Sequence, residues 1–429
     1  MRRAFASRAS LSFNSTASKS STKLLRDYLR DLLYAPRSGY FMDAERVPVG
    51  TLHQSPIAFQ TLMDSDDYQA KLARTYASLG AQWLTPGEIF APHYARAVAR
   101  YALASASERA RRGGLCVYEI GGGNGTFACG FMDYVREHAR ETYESMKYVS
   151  IDISSALSAR QRRFARASGH EEKTHVAITS DALRSSSWGE PNNEECFVIA
   201  LEVFDNLPHD RVRRARRGRG AWTQTEVARA SDGSNVEVEK PLNDALIKKT
   251  IEAIEMSWDL TLEGGVGAYA PPRGAAALFV AALKNLTSSG ETWFVPSGLM
   301  TLMETLHSRR PNHRLIAADF DALPNVRIEG VNAPLVASQR DGGRTVDHDS
   351  YMLPPDRTAD VFFPTCFDTV RGIDFVASSA NAGLERARLG RIVATKDFMR
   401  EYADCHLTRT KSGYNPLLQD FANTKFYLS

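Results

Sequence analysis

In the stretch Ala200 to Asp210, ALEVFDNLPHD, a buried apolar strand ends in Glu202, Asp205, Asn206 and Pro208, which puts two carboxylates and an amide close together. Carboxylates at the end of a buried strand can orient a guanidinium bidentately and assist loss of its proton as a methyl group arrives. Glu202 and Asp205 are therefore the candidate catalytic pair. Asp205-Asn206 ahead of Pro208 is also a strong turn signal, and the two roles are compatible. His209 is a lone histidine and reads as a turn or surface residue.

A second stretch, Val117 to Tyr134, VYEIGGGNGTFACGFMDY, sets four glycines in five positions between a strand-like run and an amphipathic one. Glu119, Gly121, Gly123 and Gly125 fit E-x-G-x-G-x-G at a strand-to-helix turn, where glycine permits a tight bend and close approach of a ligand. No Lys-[Ser/Thr] follows, which excludes a Walker A phosphate loop. An acid two positions before the first glycine suits the cationic amino-acid end of a ligand better than a pyrophosphate. The next apolar run, YVSIDI, ends in Asp152, placed to accept both ribose hydroxyls. Its competing role is a helix N-cap, for which Ser154 serves equally well. Asp181, in ITSDAL, is a candidate for the adenine amino group, with a turn or cap role equally open. Loop and strand-tip acid together read as S-adenosylmethionine binding, with NAD as the alternative. Five cysteines, at 116, 129, 196, 366 and 405, form no C-x-x-C pair and are odd in number. Neither a zinc cage nor a disulfide framework follows, no metal is expected, and a reduced compartment fits.

These residues need strands to present them. CVYEI, YVSIDI, VAIT, CFVIALEVF and HRLIAADF are β-branched or aromatic runs, the earlier ones separated by helical stretches, which predicts an α/β fold with a parallel sheet covered on both faces. Leu24 to Tyr40, Tyr68 to Leu79 and Pro92 to Ala104 show helical spacing ahead of it. From Phe204 to His313 the rhythm breaks into a basic loop, a polar run, SDGSNVEVEK, and helical segments at Pro241 to Leu260 and Arg273 to Leu286. Val331 to Val370 alternates like antiparallel edge strands, and Phe375 to Tyr402 reads as helix.

The chain has 429 residues, 43% of them hydrophobic and 24% charged, with a formal charge of +3, so wholesale nucleic-acid binding is not implied. The opening segment, Met1 to Arg26, holds Arg2, Arg3, Arg8, Lys19, Lys23 and Arg26, many serines and no acid, the composition of a mitochondrial transit segment. The longest apolar run, Ala275 to Leu283, is too short to span a bilayer. The expected location is the mitochondrial matrix. Beyond the strand-four pocket, DRVRRARRGRG supplies Arg211, Arg213, Arg214, Arg216, Arg217 and Arg219. Such a run is usually a solvated loop; at the mouth of a site it would suit an acidic protein surface, or RNA phosphates.

The chain resembles the MidA-type methyltransferase family, the mitochondrial complex I assembly-factor protein arginine methyltransferases and their fungal and protist relatives. The matching pieces are DYLRDLLYAPRSGYF at 27–41, TPGEIFAPHYARAVARY at 85–101, YEIGGGNGTF at 118–127, LEVFDNLPHD at 201–210, PNHRLIAADFDALP at 311–324 and VFFPTCF at 361–367. The resemblance implies a class I S-adenosylmethionine-dependent methyltransferase (Rossmann-like) sheet with an α-helical N-terminal lead-in and a helical insertion. It also implies symmetric dimethylation of an arginine in the forty-nine-kilodalton subunit of complex I, with Gly121, Gly123 and Gly125 as cofactor loop, Asp152 as ribose acid and Glu202 with Asp205 in the strand-four pocket. Gly122 departs from the proline many members carry, and only Thr85-Pro86-Gly87-Glu88-Ile89 remains of a longer upstream motif. The expected division is a transit segment at 1–23, a helical lead-in at 24–112, the first part of the core at 113–210, a basic loop and helical insertion at 211–310, and the remaining core with antiparallel edge strands and a C-terminal helix at 311–429. The competing reading is a methyltransferase-like assembly scaffold with weak or no catalysis, docked on a respiratory or ribosomal assembly intermediate.

Overall fold

A computed structural model describes residues 22–44, 47–52, 55–170, 174–214, 222–262, 291–340, 344–352, 358–382 and 389–429. Most of the transit segment, the helical segment expected at 273–286, and Arg216, Arg217 and Arg219 lie outside the described residues.

The central sheet has seven strands: β1 (Cys116–Ile120), β2 (Lys147–Asp152), β3 (His175–Thr179), β4 (Cys196–Leu201), β5 (His313–Phe320), β6 (Arg391–Ala394) and β7 (Thr424–Leu428). Their spatial order is β3-β2-β1-β4-β5-β7-β6, parallel from β3 to β5, with β7 antiparallel to both of its neighbours. Side chains alternate between two cores, as the two-residue period of a strand requires. Val117, Phe197, Ile199, Ile316, Ala318, Phe426 and Leu428 pack on one face against helices His93–Ser105 and Thr126–His138. Val198, Ala200, Leu315, Ala317 and Tyr427 pack on the other against Ser297–Arg309 and Phe367–Ala382. Residues apolar at every position, as in β4, are what a sheet covered on both sides demands. The parallel strands all end at one edge, so the residues just past their carboxyl ends are brought together.

The first helix, Leu25–Tyr34, crosses that edge. Leu25, Tyr28, Leu29, Leu32 and Leu33 form its buried stripe. Its polar face is clasped: Arg26 donates to Asp210 at 2.7 Å and to Asp244 at 2.7 Å, Arg30 pairs with Asp181, and the Tyr34 hydroxyl donates to the Asn206 carbonyl at 3.0 Å.

The chain departs from expectation in three places. The basic stretch begins as a strand, Asp210–Arg214, in an antiparallel sheet with Lys23–Leu24, Trp222–Arg229, Asn235–Pro241 and Glu291–Val295. Val212 is buried with Ile247, Ile251 and Val295, Arg211 pairs with Glu237, and Arg214 lies 5.5 Å from the Trp222 ring centre. Of the described arginines of this run only Arg213 is exposed, so a solvated loop is not what residues 211–214 form. Second, Leu335–Arg340, Arg344–Asp347 and Asp360–Phe362 make a separate three-stranded sheet and not the edge of the main one. Third, the region expected as helix from Phe375 to Tyr402 is interrupted by edge strand β6, whose short RIVA run pairs with β7. Among the described residues no helix is long and apolar enough to cross a membrane.

Candidate active site

β1 ends at Ile120 and the chain turns at once. Gly123 has φ +53° and Gly125 φ +89°, the left-handed region in which glycine is at ease and a branched residue is not. Gly125 then caps helix Thr126–His138. A Cβ at 125 would lie 3.0 Å from the Gln161 backbone, so the loop is closed on that side; a Cβ at 123 would meet nothing nearer than Val49 at 3.8 Å. The loop is braced from below by Gln161, which donates to the Gly123 carbonyl at 3.0 Å, and by Asn124, which donates to the carbonyls of Val49 and Gly50 at 3.2 and 3.0 Å.

In front of the loop lies a cavity of about 210 Å³ along the carboxyl edge of the sheet. Glu88, Glu119, Asp152, Asp181, Glu202 and Asp319 all line it, whereas Arg30 is the one cationic side chain that does among the described residues. Its other walls are apolar, from Phe41, Phe90, Leu417 and Phe421.

Burial pushes the Glu119 carboxyl up to about 8, and the Asp152 charge adds to this against a 3.4 Å hydrogen bond from Ser150. Asp152 is also raised by burial, to about 6, although the Ser154 N–H at 2.9 Å and Gln161 at 3.0 Å stabilise its ionised form. Ser154 is the cap of the following helix, accepting from the Leu157 N–H, so Asp152 is not needed there. The third strand-end acid, Asp181, accepts the Leu183 N–H at 2.9 Å with one oxygen and Arg30 with the other.

Glu202 has φ +52°, a left-handed conformation that costs a non-glycine residue about 1–2 kcal/mol. No hydrogen bond or ion pair engages its carboxylate among the described residues. Burial and the neighbouring Asp319 charge push its carboxyl well above the usual range. Asp205 is treated differently: it is buried, its Oδ1 has no hydrogen-bond partner among the described residues, and it is absent from the cavity wall that Glu202 and Asn206 share. The two carboxylates paired in the sequence reading thus face different surroundings: Glu202 lines the cavity, and Asp205, in the turn Phe204–Asn206, does not.

Three contributors were not singled out from sequence. Asp319 lies next to last in β5, whereas Asp152 is the last residue of β2, so it is an acid inside an apolar run near its end. Glu88, in the upstream segment, accepts from Thr51 at 3.0 Å and from the Leu52 N–H at 3.2 Å. Arg30 reaches a partner 151 positions away, which no local spacing announces. A further group with metal-ligand chemistry, His307, His313 and Asp374, sits near the opposite edge of the sheet. It is tied by hydrogen bonds between His307 and Asp374 at 2.7 Å and from Tyr427 to Asp374 at 2.6 Å.

The raised Glu119 makes a stability prediction. Unfolded, this carboxyl ionises near its ordinary value; folded, it keeps its proton to about 8. The native state therefore binds more protons across that window, and stability falls as pH rises through it. Glu119→Gln removes the term, so the ligand-free variant is expected to melt several degrees above the wild type at pH 8 and to match it at pH 4.5. Thermal denaturation at the two pH values checks this.

A mostly parallel sheet covered on both faces, with a glycine-rich turn after its first strand and an acid at the tip of the next, is an α/β arrangement that offers a ligand crevice at its carboxyl edge. A family model described as "Putative S-adenosyl-L-methionine-dependent methyltransferase" matches residues 97–383, and the chain belongs to that family. It is thus a methyltransferase with S-adenosylmethionine as its cofactor. The fold is similar to that of a COG1565 superfamily member from Burkholderia thailandensis bound to S-adenosyl-homocysteine, at 16% identity and a TM-score of 0.56, over 95% of this chain and 87% of that one. A second Burkholderia thailandensis structure of the same superfamily matches at 14% identity and a TM-score of 0.52, with the same coverage. No curated protein matches the sequence.

Proposed function

We propose that the chain is a class I, MidA-type methyltransferase of the mitochondrial matrix that dimethylates an arginine of the forty-nine-kilodalton subunit of complex I. The observation that carries this reading is the charge of the cavity: its wall gathers acids against a single described cation, and Glu202 stands there with no described partner. A cationic acceptor on an apolar stem fits such a site, because its charge offsets carboxylates that burial alone would keep protonated.

S-adenosylmethionine supplies an electrophilic methyl group on a sulfonium. Gly121 and Gly123 border the cavity and would hold it beside the backbone, Gly125 serving the turn on the closed side, while Glu119 would hold its amino-acid end and Asp152 its ribose. Asp181 would hold the adenine amino group, although Arg30 already occupies one of its oxygens. Glu202 holds the acceptor guanidinium and takes the proton that its nitrogen sheds, and that proton then passes to water. With reactants aligned, orientation and charge dispersal are the main tasks left to the protein. Asp205 lies behind Glu202 and acts through the local field. Arg213, exposed on the neighbouring sheet, suits an acidic surface of the partner.

The test is a transfer assay with purified chain, methyl-labelled S-adenosylmethionine and the recombinant complex I subunit. Label is expected on arginine; label confined to another residue type, or none, overturns the substrate.

A further inference from the structure

Glu202 enters the cavity from a backbone conformation it would not choose by itself, so something must hold it there. Its own N–H donates to the Ala318 carbonyl at 2.8 Å, extending the β4–β5 ladder one residue past the strand. Immediately beyond, the backbone N–H groups of Phe204 and Asp205 both donate to one oxygen of Asp319, at 3.0 and 3.1 Å. The other oxygen accepts the Phe320 N–H at 2.8 Å, and Thr365 adds a side-chain hydrogen bond. Asp319 is 2% exposed, yet it borders the cavity beside Glu202. One carboxylate at the tip of β5 therefore caps the turn that follows β4, as an N-cap residue caps a helix.

We propose that Asp319 is a positioning residue for methyl transfer: by accepting the N–H groups of Phe204 and Asp205 it locks the turn that directs the Glu202 carboxylate into the cavity. This rests on the reading that Glu202 meets the acceptor. Asp319 has a second effect through its charge. The titratable groups around Glu202 are Asp319 on β5, Asp205 on the same turn, and Tyr76 and Tyr94 from the lead-in helices. Of these, Asp319 is the carboxylate bound by three backbone donors; burial raises it to about 7 against those donors, so above that pH its charge bears on Glu202 while Glu202 carries the proton in the empty site.

Crystal structures of wild type and Asp319→Ala, each with S-adenosylhomocysteine, read the positioning directly. The variant is expected to show the Phe204–Asn206 turn opened and the Glu202 carboxylate withdrawn from the cavity; an unchanged turn with Glu202 still left-handed overturns the proposal. Asp319→Asn keeps the volume and tests the chemistry in the complex I subunit assay. Turnover should fall about tenfold or more with S-adenosylhomocysteine affinity within about twofold of wild type. The acidic limb of the rate profile should move to lower pH, because Glu202 loses a neighbouring negative charge. Wild-type turnover, an affinity loss as large as the turnover loss, or an unmoved limb overturns it. Glu202→Gln separates the two claims: if it turns over like wild type, the acceptor role of Glu202 is what fails.

Discussion

Gly123→Val is expected to weaken S-adenosylmethionine binding by at least about 100-fold, equivalent to about 2.7 kcal/mol, while the protein stays folded. Gly123 has φ +53°, and the position its Cβ would take is clear of protein to 3.8 Å, on the loop that borders the cavity. A valine there brings two methyl groups into the ligand's space and also strains the backbone, by about 1–2 kcal/mol. The two effects can be separated. Gly189 has φ +66°, no atom within 4 Å of its would-be Cβ, and no part in the cavity wall. Gly189→Val should therefore lose similar stability yet bind the cofactor as wild type does. Calorimetric titration of both variants decides it: equal affinities for Gly123→Val and wild type would remove the loop from the cofactor site.

Glu202→Gln is expected to lower turnover by about 100- to 1,000-fold, the range associated with removing a positioned base or a charged contact in the transition state. S-adenosylhomocysteine affinity should change by no more than about twofold, because the glycine loop and Asp152 are untouched. The variant should also be more stable. Burial and the Asp319 charge raise the folded-state carboxyl of Glu202 above its unfolded value, so the wild type loses stability as pH rises above the ordinary carboxylate range. An amide of the same shape escapes that loss, and the melting temperature should rise at neutral pH. Loss of activity with gain of stability is the mark of a residue retained for chemistry. A variant that loses turnover and stability together would instead point to a structural role for Glu202.

The strands that carry the site were legible because each is a continuous apolar run between helices, and β1 to β5 fall where those runs lie. The E-x-G-x-G-x-G turn was legible for a related reason: backbone at φ above zero leaves a glycine signature. Asp319 was less readable, because in HRLIAADF it sits within the run, one residue before its end, and not after it. The first helix's role was not readable, since Arg30 and Tyr34 find partners 151 and 172 positions away, and such pairing is set by topology. The Arg-Val-Arg alternation at 211–213 did carry a two-residue period, hidden by the density of charge. The polar run that follows splits into the turn of a hairpin, SDGS, with the Ala230 N–H donating to the Ser234 carbonyl at 2.8 Å, and its second strand, Asn235–Pro241. Neighbouring Asp205 and Glu202 looked equivalent in sequence, and only the direction of the turn between them separates an acid on the cavity from one behind it.

The central claim, methyl transfer to an arginine of a respiratory subunit through this cavity, is tested most directly by mass spectrometry of the forty-nine-kilodalton subunit of complex I. The subunit is compared from cells lacking this protein and from the same cells restored with wild type, Glu202→Gln or Gly123→Val. The account predicts that one arginine carries the mass of two methyl groups only in the wild-type cells, with both variants leaving it unmodified. An arginine methylation state unchanged across all four, with complex I assembled by the variants as well as by wild type, would contradict it and leave the chain a scaffold.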